Sequence, residues 1–353
     1  MLGPARSAAS NKISEEEKAA SRSADRERKT EDEKAAPRSA DRERKTEDEK
    51  AALPSSSCGG KAPEEGKAAC GRVLSRREQI ERSIITSCRK GIWGRFVKGV
   101  KEYALVEEGD RIAVCISGGK DSMLLAKCMQ ELHRHSDIPF ELHFLTMDPG
   151  YAPQNRALIE ENAQLLGIPL HIFDSPVFAA AEAAPKNACY LCARMRRGYL
   201  YEEAQRLGCN KIPLGHHFDD VIQTILMGML YGAQMQSMPP KLWSTNHPGM
   251  QLIRPLYYVH EEDIVRWKER NGLRFLRCAC RFTERCEAKE DESKRAEVGR
   301  LIAELKKTNP NVDINIFRSA YNVHVDTLIE YDSRGKRYGF LERYAQKAPQ
   351  KEE

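Results

Sequence analysis

Residues 111–122 read RIAVCISGGKDS, and this stretch decides the fold. Its apolar first half predicts a short buried strand, and residues 121–135, DSMLLAKCMQELHRH, have the apolar spacing of a helix. A loop of glycines, hydroxyls and a lysine between a strand and a helix N-terminus presents N–H groups and positive charge to an anion. We therefore predict a phosphate or pyrophosphate site formed by Ser117, Gly118, Gly119, Lys120, Asp121 and Ser122.

The spacing within this loop excludes two common nucleotide-binding motifs. It lacks both the G-x-x-x-x-G-K-[ST] pattern of the Walker A loop and the G-x-G-x-x-G pattern of dinucleotide-binding folds. The glycines permit a tight turn, Lys120 supplies a full positive charge, and the two hydroxyls donate hydrogen bonds. Taken without its context, the six-residue pattern is also compatible with a simple tight turn.

The chain downstream alternates between strand-like and helix-like segments. Apolar strand-like runs occupy residues 140–148, 168–175, 210–217 and 250–259, and a helical segment follows each of the first three. This alternation predicts an α/β fold with a doubly wound parallel sheet. In such sheets, ligands bind beyond the carboxyl ends of the strands.

Several polar residues lie at those predicted strand ends. We predict a nucleotide-binding role for Asp148, Gly215, His216 and Asp220. We also predict that Asp219 and Asp220 bind Mg²⁺ together with the ATP phosphates. Capping of the next helix is the structural alternative for the two aspartates, and His216 and His217 are also compatible with simple packing.

Composition divides the chain into three regions. Residues 1–74 are a charged tail with a tandem repeat, SRSADRERKTEDEKAA at 21–36 and PRSADRERKTEDEKAA at 37–52. The tail is nearly free of large apolar side chains, so we expect disorder, with partner binding as the alternative. Residues 75–286 form the predicted α/β domain with an N-terminal helix, and residues 287–353 form a helical C-terminal extension.

Charge and hydropathy limit the class of protein. The chain has 353 residues and a net charge of +5, which favours nucleic-acid binding only weakly. It has no run of about 18 apolar residues and no apolar secretion signal, and its N-terminus is too acidic for a transit peptide. We therefore expect a cytoplasmic protein without a membrane span.

The cysteines are clustered in a way that indicates metal chemistry. Cys189 and Cys192 form a C-x-x-C pair at a helix start, and Cys278, Cys280 and Cys286 follow later. The later group is not a second C-x-x-C, which departs from a clean zinc ribbon. Three thiolates are compatible with a [4Fe–4S] cluster in which one iron lacks a protein ligand and holds sulfide. A structural zinc site built from Cys189, Cys192, Cys278 and Cys280 is the alternative.

These segments together resemble the PP-loop ATP pyrophosphatases, and more closely the TtcA-type tRNA-cytidine 2-sulfurtransferase family. SGGKDS is similar to the PP-loop pattern S-G-G-x-D-S, and LGHHFDD at 214–220 is similar to the G-H-x-x-D-D motif of members that act on tRNA. Further similar segments are CYLCARMRRGYLY, LGHHFDDVIQTILMGMLYGAQMQSMPPKL and IRPLYYVHEEDI. The likeness spans residues 80–286 and implies an adenine nucleotide alpha hydrolase-like fold.

The resemblance implies a reaction and the residues that perform it. ATP is cleaved between its α and β phosphates, and the 2-carbonyl oxygen of a cytidine, at position 32 of tRNA, is adenylated and replaced by sulfur. A catalytic role is implied for Asp121, in magnesium binding or orientation. A [4Fe–4S] cluster is implied on Cys189, Cys192 and Cys278, with Cys280 as the alternative third ligand. The later cysteine pair here is C-x-C, whereas the family has P-C-x-x-C.

Basic residues near the C-x-x-C pair fit an RNA substrate. Arg194, Arg196 and Arg197 directly follow it, and we predict that they contact RNA phosphates. The first helical segment carries further basic residues: Arg89, Lys90, Arg95, Lys98 and Lys101. Ordinary solvated charge is the alternative for both groups.

The partners are also implied by the resemblance. They are tRNA and a sulfur donor system, with a cysteine desulfurase as the obvious supply, and the family pattern is compatible with a homodimer. Two other functions fit the same residues. One is a PP-loop enzyme that acts on another tRNA position or on a small metabolite, and the other is a non-catalytic ATP or cluster sensor.

Overall fold

The computed structural model describes residues 73–182, 188–276 and 293–346. The repeat-containing tail and the three cysteines Cys278, Cys280 and Cys286 lie outside these residues, so the predictions made for them stay predictions. Within the described ranges, no helix combines the length and the apolar character that a membrane span requires.

A mixed sheet forms the centre of the described chain. Its strands are β1 (Arg111–Cys115), β2 (Glu141–Asp148), β3 (Leu170–Asp174), β4 (Lys211–Pro213), β5 (Lys241–Trp243) and β6 (Gln251–Ile253). Their spatial order is β3-β2-β1-β4-β6-β5, and β5 runs antiparallel to β6 while the other neighbours are parallel. The predicted doubly wound α/β sheet is confirmed, with an antiparallel edge strand added. Strand β5 has only three residues, which is too short for an alternating apolar pattern to be recognised in the sequence.

Helices cover the sheet and form the two ends of the described chain. They are α1 (Arg76–Ile85), α2 (Gly94–Glu102), α3 (Lys120–His135), α4 (Pro153–Leu166), α5 (Val177–Glu182), α6 (Ala188–Arg206), α7 (Phe218–Gly232), α8 (Glu261–Arg270), α9 (Lys294–Thr308), α10 (Val312–Ser319) and α11 (Phe340–Gln346). A π-helical turn, Arg89–Trp93, separates α1 from α2. The C-terminal part contains helices and also a hairpin of β7 (Glu330–Ser333) and β8 (Lys336–Gly339) that the sequence pattern did not reveal.

Alternate residues of β1 enter two different cores, as the period of a strand requires. Ile112 and Val114 belong to the large cluster that includes side chains of α1, α3, α4 and α8. Ala113 belongs to the cluster on the opposite face, with Tyr201 and Ala204 of α6. Strands β2 and β3 lie on one side of β1, and β4 and β6 lie on the other. The direction of winding therefore reverses between β1 and β4, which places a crevice at their carboxyl ends.

A buried ion pair fixes β4 against β1. The Lys211 side chain is 4% exposed, and its Nζ lies 2.8 Å from Oδ2 of Asp110 and 2.7 Å from Oε2 of Glu107. Asn210 adds two hydrogen bonds, because its Nδ2 donates to Asp110 Oδ1 at 2.9 Å and its Oδ1 accepts from the backbone N–H of Arg111 at 2.8 Å. These side-chain contacts stabilise the pairing of β1 with β4, since β4 has only three residues.

A second buried cation joins α1 to α3. The Nζ of Lys127 donates to Glu81 Oε1 at 2.6 Å and to the Leu166 carbonyl oxygen at 2.7 Å. Burial disfavours ionisation of Glu81, but hydrogen bonds from Arg134 and Lys127 outweigh it and lower its pKa from 4.5 to about 2. The Lys127 side chain is 1% exposed, so Glu81 is its main compensating charge.

We predict that Glu81→Gln lowers the free energy of unfolding at pH 7 by about 3 kcal/mol, because it leaves the buried Lys127 ammonium without its carboxylate. A lowered folded-state pKa stabilises the protein above the usual Glu value, and this contribution is lost as the pH falls through the folded-state value. The deficit of the variant should therefore shrink from pH 4.5 towards pH 2. Urea unfolding at several pH values measures it. Glu304→Gln, at an exposed pair with Lys307, is the control and should change the stability by less than about 1 kcal/mol.

Candidate active site

The predicted anion loop lies between β1 and α3 and is closed by its own hydroxyls. The backbone N–H of Ser117 donates to Ser122 Oγ at 3.2 Å, and this hydroxyl donates to the carbonyl oxygen of Gly119 at 3.0 Å. Gly119 is the N-cap of α3, so the helix begins at Lys120. The loop therefore ends at a helix N-terminus, which carries a partial positive charge.

Gly118 is the tightest point of this loop. Its φ of +83° lies in the left-handed region that favours glycine, and a Cβ there would lie 2.7 Å from Ile159 Cγ1 and 2.9 Å from Leu276 Cδ1. The backbone N–H of Leu276 also donates to the Gly118 carbonyl oxygen at 3.1 Å. Asn162 of α4 holds the same segment, because its Nδ2 donates to the Arg274 carbonyl oxygen at 2.8 Å. The chain thus passes directly over the loop just before Cys278.

The loop after β4 approaches the first loop closely. A Cβ on Gly215 would lie 3.4 Å from the backbone nitrogen of Ser122 and 3.5 Å from Cβ of Asp121. The next residues enter α7, which begins at Phe218. Two predicted groups of site residues are therefore brought together, the 117–122 loop and the 214–220 segment.

Lys120 is paired within the site. Its Nζ lies 2.9 Å from Oε1 of Glu261, the first residue of α8, and 3.2 Å from Oδ2 of Asp121. Burial disfavours the charged lysine, but the two carboxylates outweigh burial and raise the pKa of Lys120. The ammonium therefore stays charged at neutral pH.

The two aspartates at the start of α7 are held by different partners. Asp219 Oδ2 accepts the backbone N–H of Glu261 at 2.7 Å. Asp220 Oδ2 accepts the backbone N–H of His217 at 3.0 Å, and Asp220 Oδ1 accepts from Arg295 Nη1 at 2.8 Å. Asp220 thus fulfils the capping alternative, while Asp219 ties α7 to α8. Burial raises the pKa of Asp219, but its contacts with His217 and Glu261 outweigh burial and lower it.

Three buried polar atoms at this site lack a hydrogen-bond partner among the described residues: Asp121 Oδ1, His216 Nδ1 and His217 Nδ1. Burial raises the pKa of Asp121 against the opposing effects of Lys120 and His217. Burial, together with the nearby Arg254, lowers the pKa of His216 to about 4, so this ring is neutral at physiological pH. Burial also disfavours protonated His217, but the neighbouring carboxylates raise its pKa. Buried polar atoms without partners are rare, so we interpret this set as prepared for a ligand.

Asp148, at the carboxyl end of β2, is engaged by the protein. Its Oδ1 accepts the backbone N–H groups of Gly150 at 2.8 Å and Tyr151 at 2.7 Å, and its Oδ2 accepts from Arg156 Nη1 at 2.9 Å. These contacts close the turn after β2. Its predicted role in nucleotide binding stays a prediction.

The C-x-x-C pair lies in the first turns of α6, which begins at Ala188. Positions 189 and 192 are three residues apart and therefore share one helix face. Cys192 is partly buried and packs against the large core. No group of three or more metal-ligating side chains occurs in the described ranges, which exclude Cys278 and Cys280. Cys128 is fully buried and burial raises its pKa, as expected for a core cysteine.

The basic residues that follow the C-x-x-C pair differ in how exposed they are. Arg194 and Arg197 are exposed, and Arg196 is half-buried, with its Nη2 3.4 Å from the Tyr151 hydroxyl. In the first helical segment, Arg95 Nη1 is paired with Asp263 Oδ2 at 2.8 Å, whereas Arg89, Lys90 and Lys101 are exposed. The predicted contacts of these basic residues with RNA stay a prediction.

The chain is similar in sequence to known proteins. A PP-loop domain model matches residues 94–281, more than half of the chain. A tRNA-cytidine(32) 2-sulfurtransferase of Paracidovorax citrulli is 35% identical over 64% of this chain and 72% of its own length. That of Pelobacter propionicus is 33% identical over 74% of this chain and 95% of its own length. The chain belongs to the tRNA-cytidine 2-sulfurtransferase family of PP-loop proteins.

Membership of this family confirms the resemblance drawn from the sequence. The protein is an ATP-dependent tRNA sulfurtransferase. Among solved structures, the U34-tRNA thiolase NcsA from Methanococcus maripaludis, determined with its [4Fe–4S] cluster, is similar with a TM-score of 0.51 and 20% identity. The match covers 72% of this chain and 85% of that protein, and it shows a shared fold.

The sequence pattern did not identify two residues of the site, Glu261 and Arg295. Glu261 contacts Lys120 through its side chain and Asp219 through its backbone, and Arg295 contacts Asp220. Glu261 lies within the segment IRPLYYVHEEDI, but nothing in its spacing connects it to the loop. Arg295 lies in the C-terminal extension, for which the sequence predicts only helical structure. Both contacts depend on how distant segments meet in the fold.

We predict that Gly118→Ala raises the KM for ATP about tenfold or more, because a Cβ at this position displaces the loop that bears the phosphate donors. ATP-dependent AMP formation with tRNA measures the effect. The matched control is Gly109→Ala, which has a similar φ of +80° but no neighbouring atom within 4 Å in the described chain. The control should carry a similar backbone strain of about 1–2 kcal/mol with an unchanged KM. Equal KM values for the two variants would contradict the steric argument.

Proposed function

We propose that this protein replaces the 2-oxygen of cytidine 32 in tRNA with sulfur, using a [4Fe–4S] cluster. The cytidine specificity is carried over from the curated relatives named above, whose names specify it. The observation in this chain that carries the proposal is the contact between the two loops, which brings Gly215 against Asp121 and joins Lys120 to Asp219 through Glu261. A phosphate donor loop and buried acceptor atoms in one place suit adenylation of a base.

The loop residues would hold the leaving pyrophosphate. The N–H groups at the start of α3 and the Lys120 ammonium present positive charge to the β and γ phosphates of ATP. As the bond between the α and β phosphates breaks, negative charge grows on the pyrophosphate and these donors stabilise it. Neutral His216 offers a hydrogen bond without adding a charge. The cytidine oxygen would become bonded to the α-phosphate and leave with AMP.

The acidic residues fit a divalent cation. Mg²⁺ prefers oxygen ligands and binds through one or two carboxylates plus substrate phosphates. Asp121 Oδ1 is a buried carboxylate oxygen that lacks a donor among the described residues, so we propose Asp121 and Asp219 as its nearest protein ligands. Asp220 is already hydrogen-bonded to the backbone of His217 and to Arg295. We propose that it supports the cation site without binding the cation.

The cysteines fit a cluster in their donor chemistry. Cys189 and Cys192 share a face of α6, and thiolates are the ligands of iron–sulfur clusters. Leu276, which precedes Cys278 by two positions in the sequence, is hydrogen-bonded to the anion loop. We propose Cys189, Cys192 and Cys278 as ligands, with Cys280 as the alternative third ligand. A cluster held by these three cysteines would supply the sulfur-transfer chemistry.

The substrate surface follows from the same placement. The exposed Arg194 and Arg197 lie on α6 within two turns of the C-x-x-C pair, and we propose that they bind tRNA phosphates near the target base. Recognition of an unstacked loop base fits a site that lies in a crevice rather than on a flat face. A cysteine desulfurase is the proposed sulfur source, and the protein is proposed to act in the cytoplasm.

We predict that Glu261→Gln tightens binding of inorganic pyrophosphate about twofold to fivefold, because a partly buried carboxylate 2.9 Å from Lys120 Nζ opposes an incoming anion. Inhibition by pyrophosphate measures the change. Glu262→Gln is the matched control, since it removes the same charge from an exposed position on the same helix and should leave the inhibition constant unchanged. Weaker pyrophosphate binding by Glu261→Gln would indicate that the carboxylate supports the phosphate site.

The function is tested by nucleoside mass spectrometry. In a bacterium that lacks its own tRNA 2-thiocytidine activity, the protein should restore 2-thiocytidine to the tRNA. Cys192→Ala should abolish the product, because a cluster ligand is lost, whereas Cys88→Ala, at a partly buried cysteine between α1 and the π-helical turn, should retain it. Other thionucleosides in place of 2-thiocytidine would favour another tRNA position. If the protein is soluble and carries its cluster but the tRNA contains no thionucleoside, the proposal is contradicted.

A further inference from the structure

The C-terminal helices pack directly on the helix that carries the paired aspartates. The shared cluster contains buried side chains from α7, α9 and α10: Phe218, Val221, Ile222, Ile225, Val298, Ile302 and Phe317. The rings of Phe218 and Phe317 are stacked with their centroids 4.8 Å apart. Apolar burial therefore docks α9 against the first turns of α7, which sets the first turn of α9 beside the active site.

Arg295 reaches the active site from this docked helix. Its Nη1 donates to Asp220 Oδ1 at 2.8 Å and approaches Gln223 Oε1 at 3.4 Å. The other oxygen of the same carboxylate accepts the backbone N–H of His217 at 3.0 Å. Asp220 is thus gripped from two sides, by the loop after β4 and by a guanidinium from α9. This double contact fixes the plane of the carboxylate.

The contact is poorly explained as a source of stability. The Arg295 side chain is 43% exposed, and exposed ion pairs contribute about 0–1 kcal/mol. The docking of α9 is already provided by the apolar cluster, which does not include Arg295. What the guanidinium does provide is a fixed orientation for a carboxylate at the edge of the nucleotide crevice, where small displacements are costly for catalysis.

We propose that Arg295 is a positioning residue for the ATP-dependent reaction, acting through Asp220. It lies beyond residues 94–281, the region matched by the PP-loop domain model, so the active site is completed by the C-terminal extension. The inference rests on the proposed placement of the reaction in the crevice of Lys120 and Asp121. It does not depend on which base is thiolated.

The test compares four variants of the full chain, purified with its cofactor, by tRNA-dependent AMP formation, tRNA binding and thermal unfolding. Arg295→Gln should lower kcat about 10- to 100-fold, while the Kd for tRNA and the unfolding temperature stay close to those of Lys294→Gln. Lys294 precedes Arg295 on the same helix and pairs with Glu297, so it controls for loss of charge. Arg295→Lys should recover part of kcat, because it keeps the charge but not the planar fork.

The fourth variant separates positioning from packing. Ile302→Ala removes an apolar contact of α9 without touching Asp220, so it should lower the unfolding temperature and retain kcat below that temperature. An equal loss of kcat in Ile302→Ala would overturn the proposal, as would a weakened tRNA Kd with unchanged kcat in Arg295→Gln, or activity equal to that of Lys294→Gln. A wild-type protein that thiolates a base other than cytidine would contradict the proposed substrate and leave this comparison intact.

Discussion

The pairing of β1 with β4 is the constraint on which the site depends, because it sets side by side the two loops that carry the reactive groups. Ile112 lies opposite Lys211 in this pair, and β4 is too short for ladder hydrogen bonds alone to define its register securely. The buried contact between Lys211 and Asp110, 2.8 Å long, fixes the register instead. Without it, Gly215 would not lie against the start of α3.

The charges of the site are already paired within the protein. Lys120 contacts Glu261, Asp220 contacts Arg295, and Asp148 contacts Arg156. These pairs hold each group in one orientation, so an anionic substrate meets a preorganised site. When an anionic substrate binds, it must replace some of these contacts, because Lys120 cannot contact a phosphate and Glu261 equally well. Asp121 contacts Lys120 through Oδ2, and its other oxygen, Oδ1, has no donor in the described chain.

Much of this arrangement was predictable from the sequence, and the physical reason differs by feature. The anion loop and the strands β1, β2, β3, β4 and β6 were recognised because glycine spacing and apolar runs are local signals. The three-residue strand β5 lacked such a signal. The contact of Arg295 with Asp220 joins residues 75 positions apart, and no local pattern encodes it.

The cysteines illustrate the same limit. The C-x-x-C spacing of Cys189 and Cys192 is a local pattern, and α6 places the two positions on one helix face as expected. The distance of that face from the anion loop depends on the whole sheet. What the structure adds is the contact between Leu276 and Gly118, which no spacing rule predicts.

The anchor between β1 and β4 also bears on how the chain folds. The hydrogen bond from Asn210 to Asp110 spans 100 residues of sequence, whereas β1, β2 and β3 are neighbours both in the chain and in the sheet. As the chain leaves the ribosome, those three strands can pair early, and one edge of β1 then stays open until β4 is made. An unpaired edge is a template for intermolecular strand pairing. The nascent protein is therefore exposed to aggregation between the emergence of β3 from the ribosome and the arrival of Lys211, when β4 covers this edge of β1.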